Sequence, residues 1–250
     1  MRPLCVHPVQ TKTFHRNESL SKFILDSIPH HLVHEGIVLA VTSKIMSLAE
    51  DRIVDREGAD KRALVEQEAD VFLGEIAHGC FLTIKDGLLI PSAGIDESNS
   101  ETGGYILFPK NSFESTEKLW RDLRLAWKIQ NLAIVITDSH TTALRRGVTG
   151  VCLSYCGFHA VKSLVGKVDL FGRELRMTQM NLADGLAAAA VMMMGEGAEA
   201  QPLAVIENAN IEFSEVVNSR EIRIPLEEDL YYPLISSFKI PRWGADDQST

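Results

Sequence analysis

Leu132-Ala133-Ile134-Val135-Ile136-Thr137-Asp138-Ser139-His140 sets five apolar residues, three of them β-branched, directly before a carboxylate, two hydroxyls and an imidazole. A run this short and this apolar predicts a strand buried on both faces, ending at Thr137 and leaving Asp138 at the strand end. Immediately upstream, Glu114 to Gln130 predicts a helix, with Trp120, Leu123 and Trp127 spaced by three and four on one apolar face, for the core or a subunit contact. Gly36 to Val41 is a second buried-strand run, followed at once by Thr42-Ser43-Lys44. Each strand thus delivers polar chemistry at its carboxyl end.

Further out, Lys61 to Ala77 predicts an amphipathic helix with Leu64, Val65, Val71, Phe72 and Ile76 inward. Leu88-Leu89-Ile90 predicts a strand leading through Pro91 into Ala93-Gly94-Ile95-Asp96-Glu97-Ser98-Asn99, a turn-rich stretch of acids and amides. Asn181 to Met194 predicts a deeply buried helix, closed by Gly195-Glu196-Gly197, in which Asp184 needs a partner. Leu203 to Ile206 and Glu221 to Pro225 predict short strands, and the polar Gly244 to Thr250 a frayed tail. No repeat, low-complexity tract or interdomain linker is apparent, so residues 1–250 read as a single domain.

Composition limits the function classes. The chain has 250 residues, 45% hydrophobic and 24% charged, which excludes collagen-like, coiled-coil and largely disordered proteins. A net charge of −9 disfavours nonspecific attraction to nucleic acid or anionic membrane, so a polyanionic substrate needs a local cation. The N-terminal Met1-Arg2-Pro3-Leu4-Cys5-Val6-His7-Pro8 lacks a signal-peptide apolar stretch, and Leu186 to Met194 is too short to span a bilayer. Cys5, Cys80, Cys152 and Cys156 are too scattered for a disulfide scaffold and read as reduced, in the cytoplasm.

Asp96, Asp138 with Ser139, and Glu196 are hard oxygen donors placed where apolar segments end, a donor set suited to Mg2+ or Mn2+. Carboxylates gathered away from water need a cation to stay ionised together; apart, each simply caps a helix or faces solvent. Gly195-Glu196-Gly197 lets backbone amides approach phosphate but lacks the lysine and spacing of a P-loop, so a helix-terminating loop is the simpler reading. Cys152 and Cys156 stand four apart without a second Cys/His pair, which disfavours zinc. His30, His31 and His34 read as a solvated loop, while His140 lies close to Asp138. Arg145-Arg146-Gly147 offers guanidinium to phosphate or carboxylate, and Arg173 either that or a structural salt bridge.

Taken in order, Thr42-Ser43-Lys44-Ile45-Met46-Ser47-Leu48-Ala49-Glu50, Ala93 to Asn99, Thr137-Asp138-Ser139 with Arg145-Arg146-Gly147, Asp169-Leu170-Phe171-Gly172-Arg173-Glu174-Leu175, Ala183-Asp184 and Met194-Gly195-Glu196-Gly197 resemble the coenzyme F420-0:γ-glutamyl ligases over residues 8–206. The resemblance implies an α+β fold with mixed sheets and packed helices, in an intertwined homodimer. It implies amide formation driven by a nucleoside triphosphate, typically GTP, with two divalent cations, Mg2+ or Mn2+: an acceptor carboxylate is phosphorylated and L-glutamate attacks the acyl phosphate. Asp96 and Asp138 would carry the chemistry as metal ligands with Ser139 and Glu196. Ser43, Lys44, Asn99, Arg145 and Gly195-Glu196-Gly197 would face the nucleotide and acceptor.

The chain also departs from the family pattern. Leu48 stands where the family carries a lysine, leaving Lys44 to substitute. His140-Thr141-Thr142-Ala143-Leu144 replaces a glycine- and arginine-bearing segment, and Phe108-Pro109-Lys110-Asn111-Ser112 lacks the acidic residues expected there. The acceptor is therefore either F420-0 or a folate-like pterin. The rival readings are a nucleotide- or cofactor-binding protein without catalysis, and a structural protein whose polar turns only cap helices.

Overall fold

A computed structural model describes residues 2–100 and 103–238. Its N-terminal elements are β1 (Cys5–Val9), α1 (Leu20–Ser27), β2 (Ile37–Thr42), α2 (Ser43–Ala49), β3 (Ile53–Val54), α3 (Lys61–Glu68), β4 (Val71–Glu75), β5 (Phe81–Lys85), β6 (Leu88–Pro91) and β7 (Tyr105–Ile106). There follow α4 (Ser112–Trp127), β8 (Leu132–Thr141), β9 (Val148–Cys156), β10 (Val161–Ser163), β11 (Gln179–Asn181), α5 (Leu182–Met194), β12 (Leu203–Glu207) and α6 (Tyr232–Ile235). The architecture is α+β with several sheets. The chain divides into two compact units, Met1–Arg52 with Pro109–Ile222, and Ile53–Phe108 with Arg223–Thr250.

The first unit is organised by a five-stranded sheet in the order β1-β12-β2-β8-β9, in which only β2 and β8 run parallel. Residues 37–41, 132–136 and 203–206 are fully buried, the expected state of central strands covered on both faces, and the reason these runs carry no alternation. Helix α5 covers one face through Ala183, Ala187 and Ala190, packed with Val38, Ala133, Val135 and Tyr155. Helix α4 covers the other: Trp120 is buried and donates its indole N–H to the Leu132 carbonyl at 2.7 Å. Arg124 stacks on that indole at 4.3 Å, Leu123 is buried, and Trp127 stays half-exposed. Asn111 caps α4 by accepting from the Glu114 amide, and Lys128 ends it in a left-handed conformation, so the helix lies two or three residues upstream of its predicted bounds.

The second unit corrects the helix predicted over Lys61 to Ala77. The helix stops at Glu68, and Val71 to Glu75 form β4, paired antiparallel with β5 in the sheet β4-β5-β6. Asp60 accepts from the Arg62 and Ala63 amides at the helix start, while β-branched and aromatic residues at 71 and 72 favour the cross-strand pairing available only in three dimensions. Val65 packs with Phe81 and Ala93, and Val71 and Ile84 with Ile235 of α6.

Glu221 to Pro225 is not a strand, because the Glu221 carboxylate turns back to accept from the Ala160 amide at 2.8 Å and the Tyr155 hydroxyl at 3.0 Å. Gly244 to Thr250 lie outside the described residues. Among the described residues no helix is long and apolar enough to cross a membrane.

His30 and His31 lie in an exposed turn, but His34 has a partner. Its Nε2 bonds one oxygen of Glu207 at 2.6 Å, and His7 bonds the other at 2.7 Å, tying the edge strand β1 and the turn before β2 to β12. The Glu35 carbonyl at Nδ1 and the Glu207 carboxylate raise the His34 pKa above its ordinary 6.5; His34 and then His7 hold Glu207 below its ordinary 4.5. The histidine contribution is complete below pH 6.5 and disappears as pH rises through the raised value. The carboxylate contribution is complete above pH 4.5 and disappears as pH falls through the lowered one, so the tie is strongest between these limits. Urea denaturation should show Glu207→Gln destabilised by up to about 1 kcal/mol at pH 5.5 and by less at pH 8.5, the size expected of half-exposed ion pairs. An equal loss at both pH values would contradict this assignment.

Candidate active site

Strand β8 does not stop at Thr137 but runs to Thr141, paired with β9 from Ile134 onward. Its parallel neighbour β2 ends earlier, at Thr42 opposite Thr137. Asp138 is therefore the first residue of β8 beyond the end of β2, the carboxyl end of a parallel pair, where open α/β sheets expose polar chemistry. Ser43, the first residue of α2, turns its hydroxyl onto Asp138 and donates to Oδ1 at 3.2 Å. Two predicted site residues 95 positions apart are thereby joined, with Lys44 on the same first helical turn.

The β8–β9 ladder slips by one residue here. Ile136 pairs with Ser154 but Thr137 with Cys152, leaving Leu153 as the extra residue of a bulge. Side-chain alternation then puts Asp138 on the face of Ile134 and Ile136, and Ser139 on the face of α5, opposite Gly150. The bulge also separates the two cysteines: Cys152 packs in the cluster under α5, while Cys156 lies by Glu117 and Arg121 of α4. Burial raises the Cys152 thiol well above its ordinary range and pushes Cys156 up to about 12, so neither is a thiolate near neutral pH. His140 is half-buried, with Nδ1 3.3 Å from the Thr149 carbonyl. Arg145 and Arg146 lie in the hairpin loop after β8, exposed throughout.

Glu196 follows α5, whose end is set by Gly195 at φ +82°; the Gly195 amide closes on the Val191 carbonyl. Glu199 folds over this loop, accepting from the Gly197 amide at 2.8 Å, so an anion from the chain itself meets the glycine-loop backbone. At the other end of α5, Asn181 caps the helix and Asp184 finds the partner its burial requires in the Cys152 amide, at 2.9 Å. That partner lies 32 positions away, so only the packing of α5 on β9 identifies it. Arg173 takes the structural role, paired with Asp169 at 2.9 Å.

In the second unit, Asp96 pairs its backbone with Ile106 in both directions, and its carboxylate accepts from the Ser98 amide at 2.7 Å. Ser92, Ala93 and Gly94 precede it with φ of 51°, 54° and 70°. Two consecutive non-glycine residues in this region store strain, which accumulates where a loop must hold a set shape. The Ser92 hydroxyl accepts from the Phe81 amide, Thr83 accepts from the Ala93 amide, and Phe108 lies against Gly94, where a Cβ would come within 2.1 Å of the ring. Beyond Asp96, Glu97 pairs with Arg56 and with Lys61, the latter at 2.6 Å; Asn99 is exposed, at φ 52°. The signal for this strained turn was present only as Gly94.

Taken one by one, the side chains suit a hard divalent cation: Asp96, Asp138 and Glu196 are carboxylates, Ser139 is a hydroxyl, and Asp138 is held in orientation by Ser43. Among the described residues, no three His, Cys, Asp or Glu side chains already form a group able to hold a metal ion.

The chain is 31% identical to the coenzyme F420:L-glutamate ligase of Methanocaldococcus jannaschii over 222 residues, 82% of this chain and 88% of that protein. To the ligases of the same description from Archaeoglobus fulgidus and Methanosarcina acetivorans it is 33% and 34% identical, over 71% of this chain in each case and 77% and 70% of theirs. The model of the family described as F420-0:Gamma-glutamyl ligase matches residues 8–208, spanning both units and every site stretch above, and the chain belongs to that family.

Proposed function

We propose that this protein joins the amino group of L-glutamate to a carboxylate of F420-0 in an amide bond, at the expense of GTP. Membership of a ligase family over residues 8–208 carries the reading, and the Ser43–Asp138 pairing where β2 ends supports it at atomic scale. In the proposed reaction an acceptor carboxylate oxygen attacks the γ-phosphorus and the nucleoside diphosphate leaves. The glutamate nitrogen then attacks the acyl carbon, phosphate leaves with the bonding pair, and the nitrogen loses a proton. Such transfers need charge neutralisation and alignment more than covalent help from the protein.

Asp96, Asp138, Ser139 and Glu196 are each proposed as ligands of Mg2+ or Mn2+, which when bound would neutralise charge on the phosphoryl oxygens. Ser43 orients the Asp138 carboxylate. Lys44, Arg145 and the glycine-loop amides of residues 195–197 are proposed to face the triphosphate and acceptor, and Asn99 the nucleotide. The exposed run of Val168, Leu170, Phe171, Met177 and Met180, flanking and within the β10–β11 hairpin, is the surface we assign to a second copy of the chain. A folate or other pterin acceptor is a second reading, favoured by the exposed turn of residues 142–147 between β8 and β9, at whose start residues 140–144 depart from the family's pattern.

Purified protein with Mn2+, GTP, L-glutamate and F420-0 should release inorganic phosphate and give a product heavier by one glutamate. Product from folate alone would move the acceptor to the second reading. GTP binding without product from either acceptor, with GTP or ATP, would make the chain a binding protein.

A further inference from the structure

We propose that Asp184 is a positioning residue that locks α5 to the β8–β9 bulge and so sets the placement of both Asp138 and Glu196. The ladder slips at Leu153, beside Cys152 on the edge strand β9, and the buried Cys152 amide, which donates to a side chain rather than along the ladder, must find an acceptor. Asp184 Oδ1 supplies it at 2.9 Å. The other carboxylate oxygen accepts from the Asn181 side-chain Nδ2 at 2.6 Å, while the Asn181 side-chain Oδ1 accepts from the Asp184 backbone amide at 3.0 Å. This reciprocal pair differs from a capping box in using the Asn181 side-chain amide in place of its backbone N–H, and one carboxylate thereby braces the helix start and holds the strand.

The consequences reach both ends of the candidate site. Cys152 is opposite Thr137, and the next rung along is Val151 opposite Asp138, so the held amide pins the first rung after the slip, the one that determines where Asp138 projects. Along α5, Ala187 lies over Gly150, opposite Ser139, where a Cβ would come within 2.4 Å of the Ala187 carbonyl oxygen. A helix seated at Asp184 and at Ala187 has no freedom to slide along its axis, and its C-terminal turn delivers Glu196. Asp184 touches no reacting atom; it acts through the Cys152 amide and the helix.

The proposal rests on the ligase reading for its kinetic consequence but not for its structural one. Asp184→Ala should raise the Mn2+ concentration giving half-maximal rate about tenfold or more, the usual effect of losing a group that orients a ligand, with the glutamate KM within twofold of wild type. Asp184→Asn, which keeps an oxygen for the Cys152 amide, should return within about threefold of wild type. Ala190→Gly, which destabilises α5 away from its N-terminus, should lower the melting temperature and leave the Mn2+ dependence unchanged. Amide hydrogen exchange, independent of turnover, should show faster exchange at residues 137–139 and 150–152 in Asp184→Ala, with residues 132–135 still protected. Unchanged exchange there, or Ala190→Gly matching Asp184→Ala in Mn2+ dependence, would overturn the proposal. Absence of amide product from the wild type would overturn the ligase reading instead, leaving the exchange comparison to decide the role of Asp184.

Discussion

Asp138→Asn should lower the rate of amide formation at least about 10²-fold while the protein remains folded. Asparagine keeps the shape of aspartate, and its carbonyl oxygen can still accept from the Ser43 hydroxyl, so the contact that orients the side chain survives. What disappears is one negative charge beyond the carboxyl end of β2, in a half-buried position where charge is screened less than in water. A charge used to hold a cation against a triphosphate has no substitute in a neutral amide, and losses of electrostatic stabilisation at such centres run to 10²–10³-fold. Phosphate release under saturating glutamate and GTP, paired with a melting curve, measures both parts. A twofold effect would place Asp138 outside the chemistry, and a collapse of the melting curve would make it structural.

Gly150→Val should cost stability on the order of 3 kcal/mol or more, because the two nearest obstructing atoms are backbone. A Cβ at this position would stand 2.4 Å from the Ala187 carbonyl oxygen and 2.8 Å from a Val191 methyl, closer than any real packing allows. Overfilled cores are relieved at about 1–3 kcal/mol when side chains can rotate away; here the helix itself must move. At about 2–4 °C per kcal/mol for a chain of this size, calorimetry should record a fall of roughly 6–12 °C or greater. Gly185→Ala on the same helix, where a Cβ meets nothing within 4 Å, should be neutral or stabilising. If Gly150→Val melts with the wild type, α5 is not seated on β9 as described.

The sequence made legible what depends on neighbours along the chain. Residues 37–41, 132–136 and 203–206 read as buried strands because burial on both faces demands unbroken apolar runs, and they form the centre of the sheet. Helix α5 and its glycine stop read correctly from composition, although Met192 and Met193 remain exposed on a face that composition had assigned to the interior. The stretch 61–77 failed because apolar spacing over a few turns suits helix and strand alike, and only the pairing of β4 with β5 separates them. For Arg173 the sequence left a phosphate contact and a salt bridge equally open, and the structure pairs it with Asp169, four residues away.

The candidate site divides in the same way. Residue types that suit phosphate and divalent cations, and their order along residues 8–208, belong to the sequence by itself, since donor chemistry and motif order are properties of the one-dimensional chain. That Ser43 reaches Asp138 across 95 positions, that one extra residue at Leu153 sets Asp138 opposite Val151, and that Asp184 holds the Cys152 amide beside that slip were decided only by the tertiary structure. The physical reason is that ladder register and the satisfaction of buried amides depend on which strands and helices meet, and no local pattern records that meeting.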